Sequence, residues 1–237
     1  RLIRYRFRVT HANGAAISVP SATEAQPNFA YFVYDALPDW KGRLAPGEPE
    51  RHYSAEALAT VPVYHLLARA EDVRESQFAG YRGSAYRWTG TLVYDGEVYD
   101  HIGFRPRGGT HRFRRGKNFW KFNFNRGRRF RASDAYGRPY PVAWDKLNLS
   151  SGMQNIHMTM APRGEHGLFE AASFRLFNLA GVEAPMTHFV HFRVIDGREE
   201  APANQYQGDF NGLYLAIEQI DSRFLGAHEL PDGNLYK

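Results

Sequence analysis

A cluster of cations is the part of this sequence whose residue types could do chemistry. Residues 105–131 contain eleven Lys or Arg residues and no Asp or Glu, although the whole chain carries a formal net charge of only +5. A segment of this kind is expected to attract an anion, either a phosphate group or a nucleic acid. The alternative is a solvated basic surface without a ligand, which is what most runs of charge are.

A strand at the centre of this segment separates aromatic side chains from polar ones. The stretch reads KNFWKFNFN. Because successive side chains of a strand point to opposite faces, Trp120, Phe122 and Phe124 share one face. Lys121 lies on the other face, followed by Asn123. The aromatic face therefore predicts a hydrophobic core and argues against base stacking by nucleic acid. The opposite face could present Lys121 to a bound phosphate.

A helix predicted over residues 168–179 supplies a second candidate, Glu170. The helix is apolar almost all round, so we expect it to pack between other elements. Gly181 and Pro185 mark its C-terminal end. A buried carboxylate without a partner costs several kcal/mol, so Glu170 should be hydrogen-bonded or paired with a cation, and Lys121 is a natural candidate. The alternative places Glu170 on the one solvated stripe of the helix.

The elements that must position these residues are mostly strands. Hydrophobic residues make up 43% of the chain and aromatic residues 15%, which favours a sheet-rich α+β protein. Residues 1–50 read as the tail of a β-module followed by a Pro- and Gly-rich linker at 35–50, and residues 51–237 read as a second domain. Within that domain, Asp95 and Gly96 predict the turn of a β-hairpin.

Composition excludes several classes of site and says little about location. The chain has no Cys, which rules out disulfides and thiolate metal sites. No apolar run approaches the roughly 20 residues needed to span a bilayer. The chain begins at Arg1 without a Met, so we expect that a segment preceding it, with or without an export signal, has been removed.

Six segments, taken in chain order, resemble the CotH (spore coat protein H) kinase family. They are IGFRPRGGTHRF, KNFWKFNFN, WDKLNLSS, LFEAASFRLFNLAGVEAP, GLYLAIEQID and DGNLYK, and together they extend over residues 102–237. Each segment alone is weak evidence, but their order and spacing make the resemblance specific. The resemblance implies an atypical protein-kinase-like fold, of which this chain would contain the N-lobe and the start of the C-lobe. It also implies an enzyme that transfers a phosphoryl group from ATP to Ser or Thr of a protein substrate. The resemblance favours a bacterial extracytoplasmic location, on the cell surface or spore coat.

The resemblance also assigns roles to individual residues. Lys121 matches the lysine that holds the ATP phosphates, and Glu170 matches the helix glutamate that orients it, so both are the catalytic candidates. Glu218 lies on the strand that leads into the hinge, where backbone groups would meet the adenine. Arg107, Gly108, Gly109 and Thr110 match the family's phosphate-binding loop of the RxKGxS type. In such a loop, backbone amides approach the phosphate oxygens.

Two departures from the family pattern bear on function. Residues 196–210 are inserted where the family has a short Asn-Gly connection. The family's catalytic and metal-binding aspartates follow the DGNLYK segment, so we expect the ligands of Mg²⁺ beyond Lys237 and expect this chain to be inactive alone. An alternative is a non-catalytic module of the same family that acts in surface or coat assembly. Nucleic-acid binding is the least favoured function.

Overall fold

The chain folds around one large sheet accompanied by smaller sheets and short helices. The computed structural model describes residues 1–43, 47–78, 85–108, 117–152, 167–204 and 207–235. Its strands are β1 Leu2–Tyr5, β2 Phe7–Thr10, β3 Ala16–Val19, β4 Phe29–Phe32, β5 Trp40–Gly42, β6 Arg51–Tyr53, β7 Val63–Leu67, β8 Trp88–Tyr94, β9 Glu97–Arg107, β10 Phe119–Asn123, β11 Lys146–Ser150, β12 Thr187–Ile195, β13 Ala203–Asn204 and β14 Phe210–Glu218. Its helices are α1 Ala55–Leu58, α2 Ala70–Phe78, α3 Leu168–Leu179 and α4 Ser222–Ala227.

Seven strands close into a barrel in the order β10-β11-β14-β12-β7-β8-β9. β9 pairs with β10 to complete the ring. β7 and β12 run parallel, whereas the other neighbours in the barrel are antiparallel. The architecture is α+β with a mostly sheet core, which confirms the fold class predicted from composition.

Aromatic side chains fill the barrel. Trp120 and Phe122 of β10 are 2% and 0% exposed, and both contact Phe192 from the opposite wall in edge-to-face geometry. Lys121, between them, is on the outer face and only partly buried. The alternation predicted for this strand is therefore confirmed, and its aromatic residues belong to the core.

The β8–β9 hairpin also forms as predicted. Tyr94 pairs with Glu97 across the turn, and the two turn residues, Asp95 and Gly96, have φ of 50° and 74°. Positive φ at both positions is what a two-residue hairpin turn requires, and Asp-Gly tolerates it.

The N-terminal strands form small sheets beside the barrel. The start of the predicted β-module forms two strands separated by Arg6: β1, which pairs with β4, and β2, which pairs with β3. The predicted linker contains β5, which pairs with β6 and with β13 from the insert. The division of the chain into domains near residue 50 remains a prediction.

Helix α3 has the predicted bounds, and Gly181 follows it with a φ of 78°. The expectation that α3 packs between other elements is wrong. Among the described residues, α3 packs mainly against β12 and is hydrogen-bonded to β11 through Glu170, whereas Phe169, Leu176 and Leu179 are 59%, 65% and 65% exposed. An apolar pattern on every side of a helix thus shows that each side could pack against another element, but it does not show that each side does.

One buried carboxylate, Asp100, fastens the N-terminal strands to the barrel. Arg4 of β1 donates to both Asp100 oxygens, each at 2.8 Å, and Asn28 Nδ2 donates at 2.9 Å. Thr91 donates to the same carboxylate from within the barrel. Burial alone would raise the pKa of Asp100, but these hydrogen bonds and the charge of Arg4 outweigh it and hold the pKa well below its usual range.

We predict that Arg4→Gln loosens the N-terminal strands and costs about 1–3 kcal/mol of folding free energy at neutral pH, because a buried carboxylate loses its cation. Because the folded-state pKa of Asp100 is depressed, its stabilisation is present above the unfolded-state pKa of about 4. That stabilisation disappears as the pH falls below about 4, so the difference between wild type and variant should shrink there.

Denaturant unfolding at several pH values would measure this difference, and limited proteolysis would report detachment of β1 to β4. Arg6→Gln is the matched control, because Arg6 lies next to the break between β1 and β2 and is exposed. Equal effects of the two substitutions would contradict the anchoring role of Asp100.

Candidate functional site

Lys121 projects from the outer face of the barrel where β10 lies between β9 and β11. Its partners across the two strands are Arg105 and Asn148. The Lys121 Nζ donates to Gln219 Oε1 at 2.7 Å. Gln219 directly follows β14, so this hydrogen bond joins two strands that are not neighbours in the barrel.

The Gln219 side chain is held in one orientation by its other contacts. Asn148 Nδ2 donates to the same Oε1 at 3.2 Å, and Gln219 Nε2 donates to the Ile220 carbonyl at 2.9 Å. Asn148 is 1% exposed. The amide oxygen of Gln219 therefore faces two donors, and the Lys121 ammonium has a defined position over the sheet.

Glu170 approaches the same face of the sheet from the first turn of α3. Ser150 Oγ donates to Glu170 Oε2 at 2.9 Å. Ser150 lies two residues beyond Asn148 on β11, so both side chains point to the same face, with their Cα atoms roughly 7 Å apart. Glu170 is half-buried and hydrogen-bonded, which meets the expectation that this carboxylate has a partner. A direct pair between Lys121 and Glu170 remains a prediction.

Arg107, at the end of β9, belongs to this group electrostatically. Burial lowers the pKa of the Arg107 guanidinium, and the negative charge of Glu170 acts in the opposite direction and raises it. The outer face of β9, β10 and β11 thus gathers Arg107, Lys121 and Glu170.

The remaining residues of the predicted phosphate loop are only partly described. Gly108 follows β9 with a φ of 114°, a conformation that side chains other than glycine rarely adopt. Gly109 and Thr110 lie outside the described residues. Of the two glycines, Gly108 alone is described, and its positive φ is compatible with the predicted phosphate loop.

The Glu218 carboxylate points away from this face. Its Oε2 accepts hydrogen bonds from Met186 N at 3.1 Å and from His228 Nε2 at 2.9 Å, and the side chain is 4% exposed. Burial raises the pKa of Glu218, although the hydrogen bond to His228 opposes this. The carboxylate stabilises the junction of β14 with α4, so a role in ligand binding would fall to the backbone of Glu218.

The fold disperses the described cations of the basic segment, at 105–108 and 117–131. Arg128 pairs with Glu97 at 2.8 Å and Arg129 pairs with Asp145 at 2.5 Å, on the connection between β10 and β11. Burial lowers the pKa of Lys117 to about 8, and its ammonium donates to a backbone carbonyl of β14. Among the described residues of this segment, the density of charge in the sequence therefore overstates the basic surface near Lys121, while Arg112, Arg114 and Arg115 lie outside the described ranges.

The sequence does carry a signal for the amide and hydroxyl partners of Gln219 and Glu170. In WDKLNLSS, Asn148 and Ser150 alternate with Leu147 and Leu149, which the structure buries in the core. This alternation puts the two polar side chains on the face that carries Lys121. Nothing local in the sequence indicates the contact of Gln219, because it depends on the pairing of β11 with β14.

Two properties of the described residues bear on ligands and location. Within them, no group of three His, Asp or Glu side chains is arranged to hold a metal ion. None of the helices in the described ranges is long and apolar enough to cross a membrane.

The family assignment rests on the C-terminal part of the chain. A family model described as CotH kinase protein matches residues 104–237, more than half of the sequence. The chain belongs to the CotH family. No curated protein matches the chain. The CotH match contains Arg107, Lys121 and Glu170, and it begins within β9, so the N-terminal strands lie outside it.

We predict that Ser150→Ala weakens the attachment of α3 to the CotH barrel by about 1.5–3 kcal/mol, since it removes a hydrogen bond to a carboxylate. Hydrogen exchange of the α3 amides would measure the change. Ser18→Ala, on the exposed strand β3, is the control. Unchanged protection of α3 in Ser150→Ala would show that the Glu170 contact does not hold the helix.

Proposed function

We propose that this chain contains the ATP-binding part of a CotH-type Ser/Thr protein kinase that acts on surface or coat proteins. The observation that supports the proposal is that Lys121 and the hydrogen-bonding partner of Glu170, Ser150, lie on the same outer face of the barrel, with Glu170 brought to that face by α3. A cation from a strand and a glutamate from a packed helix are the pair that orients ATP phosphates in protein kinases. Membership of the CotH family supports the same function.

The residues present fit an ATP phosphate group. Lys121 and Arg107 supply positive charge, and Gly108 gives the backbone a conformation that allows close approach. Glu170 would orient the cation, and Gln219 would release Lys121 or share it when phosphate binds. Bound Mg²⁺ would neutralise charge on the phosphates. In this proposal, the ligands of Mg²⁺ and the carboxylate that positions the attacking hydroxyl are expected beyond Lys237.

A second candidate function, assembly without catalysis, is favoured by exposed apolar surface. Phe169, Leu176 and Leu179 on α3 are each more than half exposed, as are Phe7 and Ile17 on the N-terminal strands. Surfaces of this kind mark protein contacts. They are compatible with a kinase that docks on a coat or with a module that only assembles there.

We predict that Lys121→Met weakens MgATP binding at least about tenfold, because a phosphate contact made by a cation is worth more than about 1.4 kcal/mol in a partly buried site. Isothermal titration of the chain and of the full-length gene product would measure the affinity. The unfolding temperature should stay close to that of wild type, because Lys121 lies on the outer face of the barrel.

Lys41→Met is the matched control, because Lys41 lies on β5 and is exposed. An affinity for MgATP that does not respond to Lys121→Met would remove Lys121 from the site. Failure of both the chain and the full-length protein to bind MgATP would overturn the kinase proposal and favour the assembly role.

A further inference from the structure

A large cleft separates the N-terminal strands from the barrel. Its volume is about 1020 Å³, at the upper end of the ~300–1,000 Å³ typical of small-molecule sites. One wall is β1, and the other is formed by the end of β7, the start of β8 and the first residues of the insert. The CotH match begins at residue 104, so most of the cleft is built from residues that this match does not cover.

The lining of the cleft is basic. Five arginines line it against two aspartates, Asp72 and Asp196, among the described residues. The arginines are Arg1, Arg4, Arg69, Arg87 and Arg198. Asp100 balances the charge of Arg4. The pairs of Arg1 with Glu199 and of Arg69 with Glu71 are exposed, and exposed ion pairs contribute little. The cleft therefore attracts negative charge.

The described part of the insert, residues 196–204 and 207–210, is held by several contacts, and its first residues form part of this wall. Glu200 pairs with Arg193 of β12, whose side chain is 1% exposed. Asp209 accepts a hydrogen bond from Ala201 N at 2.6 Å, and β13 pairs with β5. These contacts, later in the insert, hold Asp196 and Arg198 beside the cleft. A segment that departs from the family pattern thus contributes to the lining of the cleft.

The edge of β1 is the feature that selects the kind of ligand. β1 belongs to a two-stranded sheet and pairs with β4 along one edge. Three consecutive residues of β1 line the cleft: Leu2, Ile3 and Arg4. Neighbouring side chains of a strand point to opposite faces, so one face of β1 alone could not supply all three. The strand on the other side of β1, β4, contributes no lining residue among those described. The second edge of β1, with its backbone N–H and C=O groups, therefore faces the cleft.

We infer that this cleft binds an acidic segment of a polypeptide, which adds to β1 as a third strand. A polypeptide backbone can pair with the edge of β1 in the pattern of a sheet, which a nucleic acid or a polysaccharide cannot do. The four residues of β1 offer roughly 13 Å of edge. Carboxylate or phosphate side chains of the peptide would meet the arginines. That this segment comes from the protein substrate rests on the proposed kinase function.

Fluorescence anisotropy with a short labelled peptide, in which Glu alternates with Thr or Val, tests the inference on the whole chain. The Gln analogue should bind at least about tenfold more weakly. A peptide N-methylated at alternate backbone nitrogens keeps every charge but cannot pair as a strand, and it should also bind much more weakly. Equal binding of the N-methylated peptide would overturn strand addition. A phosphoserine version distinguishes phosphate from carboxylate as the favoured acidic group.

The double variant Arg69→Glu with Arg198→Glu should weaken binding of the Glu peptide at least about tenfold, since both charges line the cleft. Arg126→Glu with Arg131→Glu is the matched control: it changes the net charge equally at exposed positions outside the cleft. Equal losses in the two variants would show general attraction of a polyanion and would overturn the site.

Two further measurements separate this inference from the kinase proposal. Lys121→Met should leave peptide affinity unchanged, because Lys121 does not line the cleft. Peptide binding that persists when MgATP fails to bind would leave the cleft in place and reject only the kinase function. Absence of peptide binding by a chain that binds MgATP would reject the cleft alone.

Discussion

Closure of the seven-stranded barrel decides, for each residue on it, whether the side chain points inward or outward. A closed sheet has two faces and no edge. The inner face is filled by large aromatic side chains such as Phe122 and Phe192, so a shift of β10 by one residue would push Lys121 into that core. The position of the candidate site thus depends on aromatic packing inside the barrel, which fixes the register of β9, β10 and β11.

The barrel also explains why the two regions of greatest interest lie on its outside. The candidate phosphate face uses β9, β10 and β11, with Glu170 of α3 hydrogen-bonded to β11, while the basic cleft uses β7 and β8 with the N-terminal strands. Each depends on a polar contact that crosses from the barrel to an added element: Ser150 to Glu170 in the first region, and Asp100 to Arg4 in the second. The first contact satisfies a half-buried carboxylate and the second a buried one. Either element would therefore lose a hydrogen bond to a charged group if it moved away.

The sequence predicts what local periodicity controls. The in-and-out pattern of β10, the turn at Asp95 and Gly96, and the bounds of α3 all follow from neighbours within a few residues. Features that arise from pairing of distant segments were not predictable in this way. The contact of Lys121 with Gln219 requires the pairing of β11 with β14, and the cleft requires β1 to lie beside β8. The sequence does not predict helix α2, because AEDVRESQF has almost no apolar repeat of helical period.

The parallel pairing of β7 with β12 has a consequence for how the protein is made. β7 ends at Leu67, and its partner begins at Thr187. At ~5–20 residues per second, the ribosome takes on the order of 10 s to supply that partner. Throughout this interval the hairpin of β8 and β9 can form, but one edge of β7 and the apolar interior stay open to other chains. The rate of translation, more than the stability of the finished barrel, therefore sets how long the nascent protein is exposed to aggregation and to chaperones.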